Sequence, residues 1–311
     1  MYLIRNHQKL PESLQHAIVT IGNFDGVHLG HQQLLKALKA RAQELNKPCG
    51  VIVFEPQPAE FFMQAPPPRL TSLRQKYQLI KQQGIDFILV LRFNASLAEL
   101  SAQDFIAQVL VKQLNIHEIW VGQDFRFGHQ RLGDLALLKN EGQHLGFSVK
   151  AMPDITIEGV RISSTQIRNL LAQGELHLAR HLLGRFFSIA GKVIPGAARG
   201  RVLDMRTANI NPTFQHVPFS GIFVVRVACK QQEWPGVASL GFRPVFSGQH
   251  ILLEVHIFNF AQDIYGEHLN VEFLHKLRDE KNFETVEFLQ QQMQQDLLDA
   301  QHYWKQHYDE L

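Results

Sequence analysis

The sequence predicts an α/β protein built on a parallel sheet, followed by a smaller all-β unit and a closing helix. Three observations point there. Apolar, strand-like runs alternate with helical patterns through the first half, which is the mark of a parallel sheet covered by helices. After Leu182-Leu183-Gly184-Arg185 the texture changes to short runs separated by turn signals. The 311 residues are also enough for two domains, each with its own core.

In chain order, the strand-like runs of the first half cover residues 17–21, 49–54, 87–91, 118–121 and 147–152. Helical stretches over 32–45, 73–83 and 101–114 lie between them. Ser101 is placed to cap the third helix, with Asp104 serving its first turn. In the second half, runs over 187–193, 221–229, 237–242 and 251–260 suit a small antiparallel barrel or sandwich. Period-two alternation in Leu253-Glu254-Val255-His256-Ile257 puts Glu254 and His256 on one face and the three aliphatics on the other. A helix over 285–304 closes the chain, and the helical spacing of Val286, Leu289, Met293 and Leu297 predicts core contacts with the barrel.

Composition narrows the function. With 45% hydrophobic and 19% charged residues the chain is an ordinary globular one, and a net charge of +2 without a basic run disfavours nucleic-acid binding. No apolar run is long enough to cross a membrane, and the N-terminus lacks a signal-peptide segment. Cys49 and Cys229 stand far apart with no metal-type spacing, which predicts free thiols in a reducing compartment. A cytoplasmic protein is expected.

The segment Gly22-Asn23-Phe24-Asp25-Gly26-Val27-His28-Leu29-Gly30-His31 follows the first strand-like run and opens a helix. A buried strand ending in a tight Gly-bearing turn presents backbone N–H groups and the positive end of a helix dipole to an incoming phosphate. Two histidines three residues apart can meet one anion. No Walker lysine follows, and the glycines do not have dinucleotide-fingerprint spacing. The pair could instead ligate a metal, given a third ligand, or serve only as surface and capping residues.

Other motifs sit at predicted strand ends, where ligands bind in such folds: Phe54-Glu55-Pro56-Gln57-Pro58, and Gly122 through Asp124 and Phe125 to Gly128. Pro66-Pro67-Pro68 reads as a stiff extended loop, either bordering the site or a plain connector. In Arg161-Ile162-Ser163-Ser164-Thr165-Gln166-Ile167-Arg168 three hydroxyls lie between two arginines at a helix start. The segment offers either donors for phosphate oxygens or an ordinary cap.

Taken together and in order, these motifs resemble the bacterial bifunctional riboflavin kinase/FAD synthetase family. Its members share a Gly-x-Phe-Asp-Gly-x-His-x-Gly-His corner, a Phe-x-Pro-His-Pro turn, a Gly-x-Asp/Asn-Phe-x-Phe-Gly loop and an Ile-Ser-Ser-Thr-x-Ile-Arg helix start. The resemblance implies a nucleotidylyltransferase-like, Rossmann-type domain over residues 1–184 and a riboflavin-kinase-like β-barrel with its C-terminal helix over 185–311. It implies two reactions, riboflavin to FMN and FMN to FAD, with ATP and Mg²⁺ required. Riboflavin, FMN and ATP are then the partners. By resemblance, His28 and His31 are catalytic contacts to the ATP phosphates. Gly22, Phe24, Asp25, Gly30, Arg161, Ser164, Thr165 and Arg168 bind ATP, and Asp124 and Phe125 meet flavin or nucleotide.

For the barrel, the resemblance implies a phosphate loop from Gly191 through Gly196 and Gly200 to Arg201, Mg²⁺ oxygens from Thr207 and Asn209, and Glu254 as the catalytic base. This chain departs from the family pattern at four places. Asp204 and Arg206 replace a glycine and a proline before Thr207, Val245 replaces a threonine, and Gln57 replaces a histidine. Asp204 brings an anion close to where phosphates are expected, and Gln57 keeps hydrogen bonding without a titratable ring. The alternative reading is therefore FMN adenylyltransferase activity alone, with the barrel a degenerate flavin-binding or structural module.

Overall fold

The computed structural model describes all residues except 7–9, 154–155, 158–159, 196–206, 213–216, 246–247 and 309–311. The chain forms two compact units. One comprises Met1–Pro67 with Leu73–Ser163, the other Pro68–Ser72 with Ser164–Leu311.

The N-terminal unit is built on six strands: β1 (Tyr2–Arg5), β2 (Ile18–Ile21), β3 (Cys49–Glu55), β4 (Phe87–Arg92), β5 (Glu118–Gly122) and β6 (Ser148–Met152). They pair in parallel in the order β1-β4-β3-β2-β5-β6. The runs are continuous because both faces are covered. Val19, Ile21, Ile52, Leu89, Ile119 and Val121 pack into one core, while Ile18, Val51, Val53, Ile88, Val90 and Trp120 pack into the other. The helices are α1 (Leu29–Glu44), α2 (Pro58–Phe62), α3 (Leu73–Gln82), α4 (Ala95–Ala98), α5 (Ala102–Phe105) and α6 (Leu135–Leu145). Ser101 caps α5 as expected, its side chain accepting from the Asp104 N–H at 3.0 Å, but the helix then widens to a π-helical stretch over Ile106–Gln113. A short antiparallel hairpin, β7 (Thr156–Ile157) and β8 (Val160–Arg161), follows β6.

In this order the chain leaves β2 for β3 on one side, and leaves β5 for β6 on the other. The topological switch point thus falls between β2 and β5. Ligands of open parallel sheets bind in the crevice outside the strand ends at such a point.

The C-terminal unit opens with α7 (Ser164–Ala172) and α8 (Leu176–Leu183). Six strands follow: β9 (Ser188–Ile194), β10 (Ala208–Pro212), β11 (Gly221–Cys229), β12 (Gln232–Val245), β13 (Gly248–Ile257) and β14 (His268–Arg278). They close into a barrel in the order β10-β13-β12-β11-β14-β9, so of barrel and sandwich the barrel is the outcome. Helix α9 (Val286–His307) is capped by Thr285, whose Oγ1 accepts from the Phe288 N–H at 3.3 Å. It packs on the barrel through Ala300 and Trp304. Arg278 on β14 makes a two-pronged ion pair with Asp296 on α9, at 2.8 and 2.6 Å.

One expectation is corrected here. Of the four apolar α9 residues expected in the core, only Leu297 packs there. Val286 is 57% exposed, and Val286, Leu289 and Met293 line an open cleft instead. Helical spacing marks an apolar face but not what covers it.

Candidate functional site

In the N-terminal unit, the corner after β2 has the geometry of an anion site. Phe24 adopts a left-handed conformation (φ 47°), and Gly26 takes φ 81°, so the chain doubles back before α1 begins. His28 caps α1, its Nδ1 accepting from the His31 N–H at 3.3 Å. The two imidazoles stack, with ring centroids 3.7 Å apart, and Phe24 lies 4.8 Å from His31. Phe24, Asp25, His28 and Gly30 are buried. Burial holds the His31 imidazole well below its ordinary basicity, with the charges of His28 and Lys76 acting in the same direction. His31 is thereby kept neutral, and its Nδ1 is covered without a hydrogen-bond partner. Lys76, fully buried on α3, is a member of this cluster that the motifs did not reveal.

The loop after β5, on the other side of the switch point, carries Asp124. Its carboxylate pairs with Arg161 at 3.0 Å, and that hydrogen bond holds the acid below the usual carboxylate range. Two residues expected to meet ligand therefore meet each other. Phe125 stacks on Phe127 at 5.3 Å and packs on the core rather than standing free. Gln57 is buried in the turn after β3, its backbone N–H donating to Glu60 at 2.8 Å. Beyond it, Phe61 and Phe62 form an edge-to-face cluster with Phe93, and Phe62 is 66% exposed. No motif pointed to this aromatic platform.

Ser164, Thr165 and Arg168 lie on α7, in the C-terminal unit. Arg168 Nε donates to the Pro68 carbonyl at 2.6 Å, so its guanidinium anchors the proline loop.

In the barrel, Asn209 on β10 and Ser239 on β12 are the ladder partners of Glu254 on β13. Directly opposed residues point to the same face. Leu253 and Val255 are fully buried and Ile257 nearly so, which leaves Glu254 and His256 on the outer face as the alternation predicts. That face and α9 enclose a cleft of about 620 Å³, lined among others by Thr207, Ser239, Glu254, His256, Leu289 and Met293. It combines an apolar wall with a few convergent polar groups, as a small-molecule site does.

Gly191 requires a correction. It sits inside β9, opposite Pro212, where a Cβ would lie 2.3 Å from the Asn211 carbonyl oxygen. Its bareness serves the close approach of β9 and β10, so a loop can begin only past Ile194. Gly196, Gly200, Arg201, Asp204 and Arg206 lie outside the described residues.

Known proteins match both units. A model of FAD synthetases matches residues 10–166, and one of riboflavin kinases matches 183–304. A bifunctional riboflavin kinase/FMN adenylyltransferase from Pseudomonas fluorescens is 42% identical over 96% of this chain and 97% of its own length. The chain belongs to the bifunctional riboflavin kinase/FMN adenylyltransferase family. The enzyme of that name from Escherichia coli K12 is 41% identical over 98% of both chains. A solved chain described as a macrolide-efflux protein from Streptococcus pneumoniae shares the fold with a TM-score of 0.82. It is 30% identical, over 97% of this chain and 99% of its own. Among the described residues no helix is long and apolar enough to cross a membrane.

Proposed function

We propose that the protein phosphorylates riboflavin to FMN in the barrel and adenylylates FMN to FAD in the N-terminal unit, consuming one ATP in each step. The observation that carries the first step is Glu254 beside Ser239 on the wall of the cleft under α9, with Asn209 on β10 as the ladder partner of Glu254. Glu254 takes the proton of the riboflavin 5′-hydroxyl while its oxygen attacks the γ-phosphorus of ATP. The bond from that phosphorus to the bridging oxygen breaks, and ADP leaves.

Thr207 and Asn209 offer neutral oxygens beside Glu254. That donor set fits Mg²⁺, which takes oxygen ligands and is usually held by few protein groups together with substrate phosphates. The ion would neutralise charge on the phosphates. Among the described residues no preformed cluster of three acidic, His or Cys ligands exists, so the nucleotide would have to complete the site.

In the N-terminal unit an FMN phosphate oxygen attacks the α-phosphorus, and pyrophosphate leaves. No covalent nucleophile is needed, because holding two polyanions in line supplies the rate. The N–H groups at the start of α1 and the stacked His28–His31 pair bind the polyphosphate. Phe62 and its aromatic neighbours give the flat flavin ring a platform, since such rings prefer stacked and edge-on contacts. Two free thiols and reliance on ATP fit a cytoplasmic enzyme.

Incubating the purified protein with riboflavin, ATP and Mg²⁺, and separating the flavins by chromatography, tests the proposal. FMN that rises and then gives way to FAD supports it. FAD formed only from supplied FMN would reduce the barrel to a binding module.

A further inference from the structure

Lys76 has no part in the steps above, yet the structure gives it an uncommon setting. It is fully buried on α3, on the same face as Ile80 four residues on. That helix packs against the Asp25–Val27 turn, which carries the buried Asp25 and leads into His28. Taking an ammonium out of water is costly, and a lysine on an amphipathic helix has solvent available on the other face. The charge is felt inside the corner, where it opposes protonation of His31 alongside burial and His28. In so dry a place the same field acts strongly on any anion brought against the imidazoles.

We propose that Lys76 is a positioning residue for adenylyl transfer: its ammonium, held behind the Phe24–His31 corner, draws the polyphosphate of ATP against the His28–His31 pair and steadies the departing pyrophosphate. This rests on the adenylyltransferase reading of the corner. Recognition is of a polyphosphate anion, so the flavin substrate is indifferent to it.

The variant Lys76→Met keeps the length and burial of the side chain and removes the charge. FAD formation from supplied FMN should show a KM for ATP and an inhibition constant for inorganic pyrophosphate that both rise at least tenfold. The KM for FMN should stay within twofold, and conversion of riboflavin to FMN by the same preparation should be unchanged. The melting temperature is measured alongside these constants, because removing one partner of a buried charged contact costs stability by itself. Lys76→Arg, which keeps the charge, should recover part of the pyrophosphate affinity. Unchanged ATP and pyrophosphate constants in Lys76→Met would overturn the proposal. So would a uniform loss, in which both substrate constants and the melting temperature worsen together and Lys76→Arg recovers nothing. Wild-type protein that makes no FAD from FMN would instead sink the reading beneath it.

Discussion

Asn209 and Glu254 face each other across the β10–β13 ladder, on the outer face of the barrel, while their neighbours Ile210 and Leu253 form the adjacent rung inside it. A one-residue slip of β10 would exchange those two rungs and bury the asparagine. The register that builds the core therefore also presents an amide oxygen beside a carboxylate.

Glu254→Gln removes the base and keeps the shape. Phosphorylation of riboflavin should fall by roughly 10²–10⁴-fold, the usual worth of a general base. FAD formation from supplied FMN should stay within twofold. Separate single-substrate assays check this, and equal losses in both reactions would point to damage beyond the site.

The Arg278–Asp296 pair is two-pronged and nearly buried, at 14% and 7% side-chain exposure. Asp296→Ala strands the guanidinium, and breaking such a pair costs about 3–5 kcal/mol. Chemical denaturation should show that loss. Because α9 roofs the cleft, the variant should also bind riboflavin more weakly.

Asp86 accepts from Lys39 at 3.0 Å and from the Cys49 N–H at 2.9 Å. Burial raises its affinity for a proton, but the bonds from Cys49 and Lys39 outweigh burial and leave it below the ordinary carboxylate value. Its contribution to stability is present above the unfolded value and is lost as pH falls through the lowered folded one. The stability gap between wild type and Asp86→Asn should thus be constant from pH 8 to about 5 and close at lower pH. Burial, then the Asp86 charge, also push the Cys49 thiol up to about 12. Native protein at pH 8 should therefore resist alkylation at Cys49.

His31 carries the opposite sign. Its folded-state value is lowered, chiefly by burial, so below about pH 6.5 the unfolded chain takes up a proton that the folded one refuses. Folding should lose stability as pH falls from 7 to 5, and His31→Gln should lessen that loss. Urea titrations at each pH read it directly, and parallel curves for the two proteins would contradict the burial of the ring.

How much of this was legible in the sequence follows from burial. The central strands β2 to β5 stood out because both faces are covered and, apart from Glu55, Arg92 and Glu118 at strand ends, their residues are apolar or small. Edge strand β1, with only Ile4 buried, left no such run, and β10 was hidden by two asparagines and a proline. Glu254 and His256 were legible because a half-buried strand alternates. Lys76 was not, since a lysine on an amphipathic helix reads as its wet face, and only the packing of α3 on the corner reverses that. The Phe61–Phe62–Phe93 cluster joins segments some 30 residues apart, beyond the reach of periodicity.

The central claim is that two separate chemistries reside in the two units, one at the His28–His31 corner and one at Glu254. The most direct measurement follows FMN and FAD over time from riboflavin, ATP and Mg²⁺ in three proteins: wild type, the His28→Ala/His31→Ala double variant and Glu254→Gln. Wild type should pass through FMN to FAD, the double variant should stop at FMN, and Glu254→Gln should yield neither until FMN is supplied. FAD formed at the wild-type rate by the double variant, or FMN made at that rate by Glu254→Gln, would contradict the account.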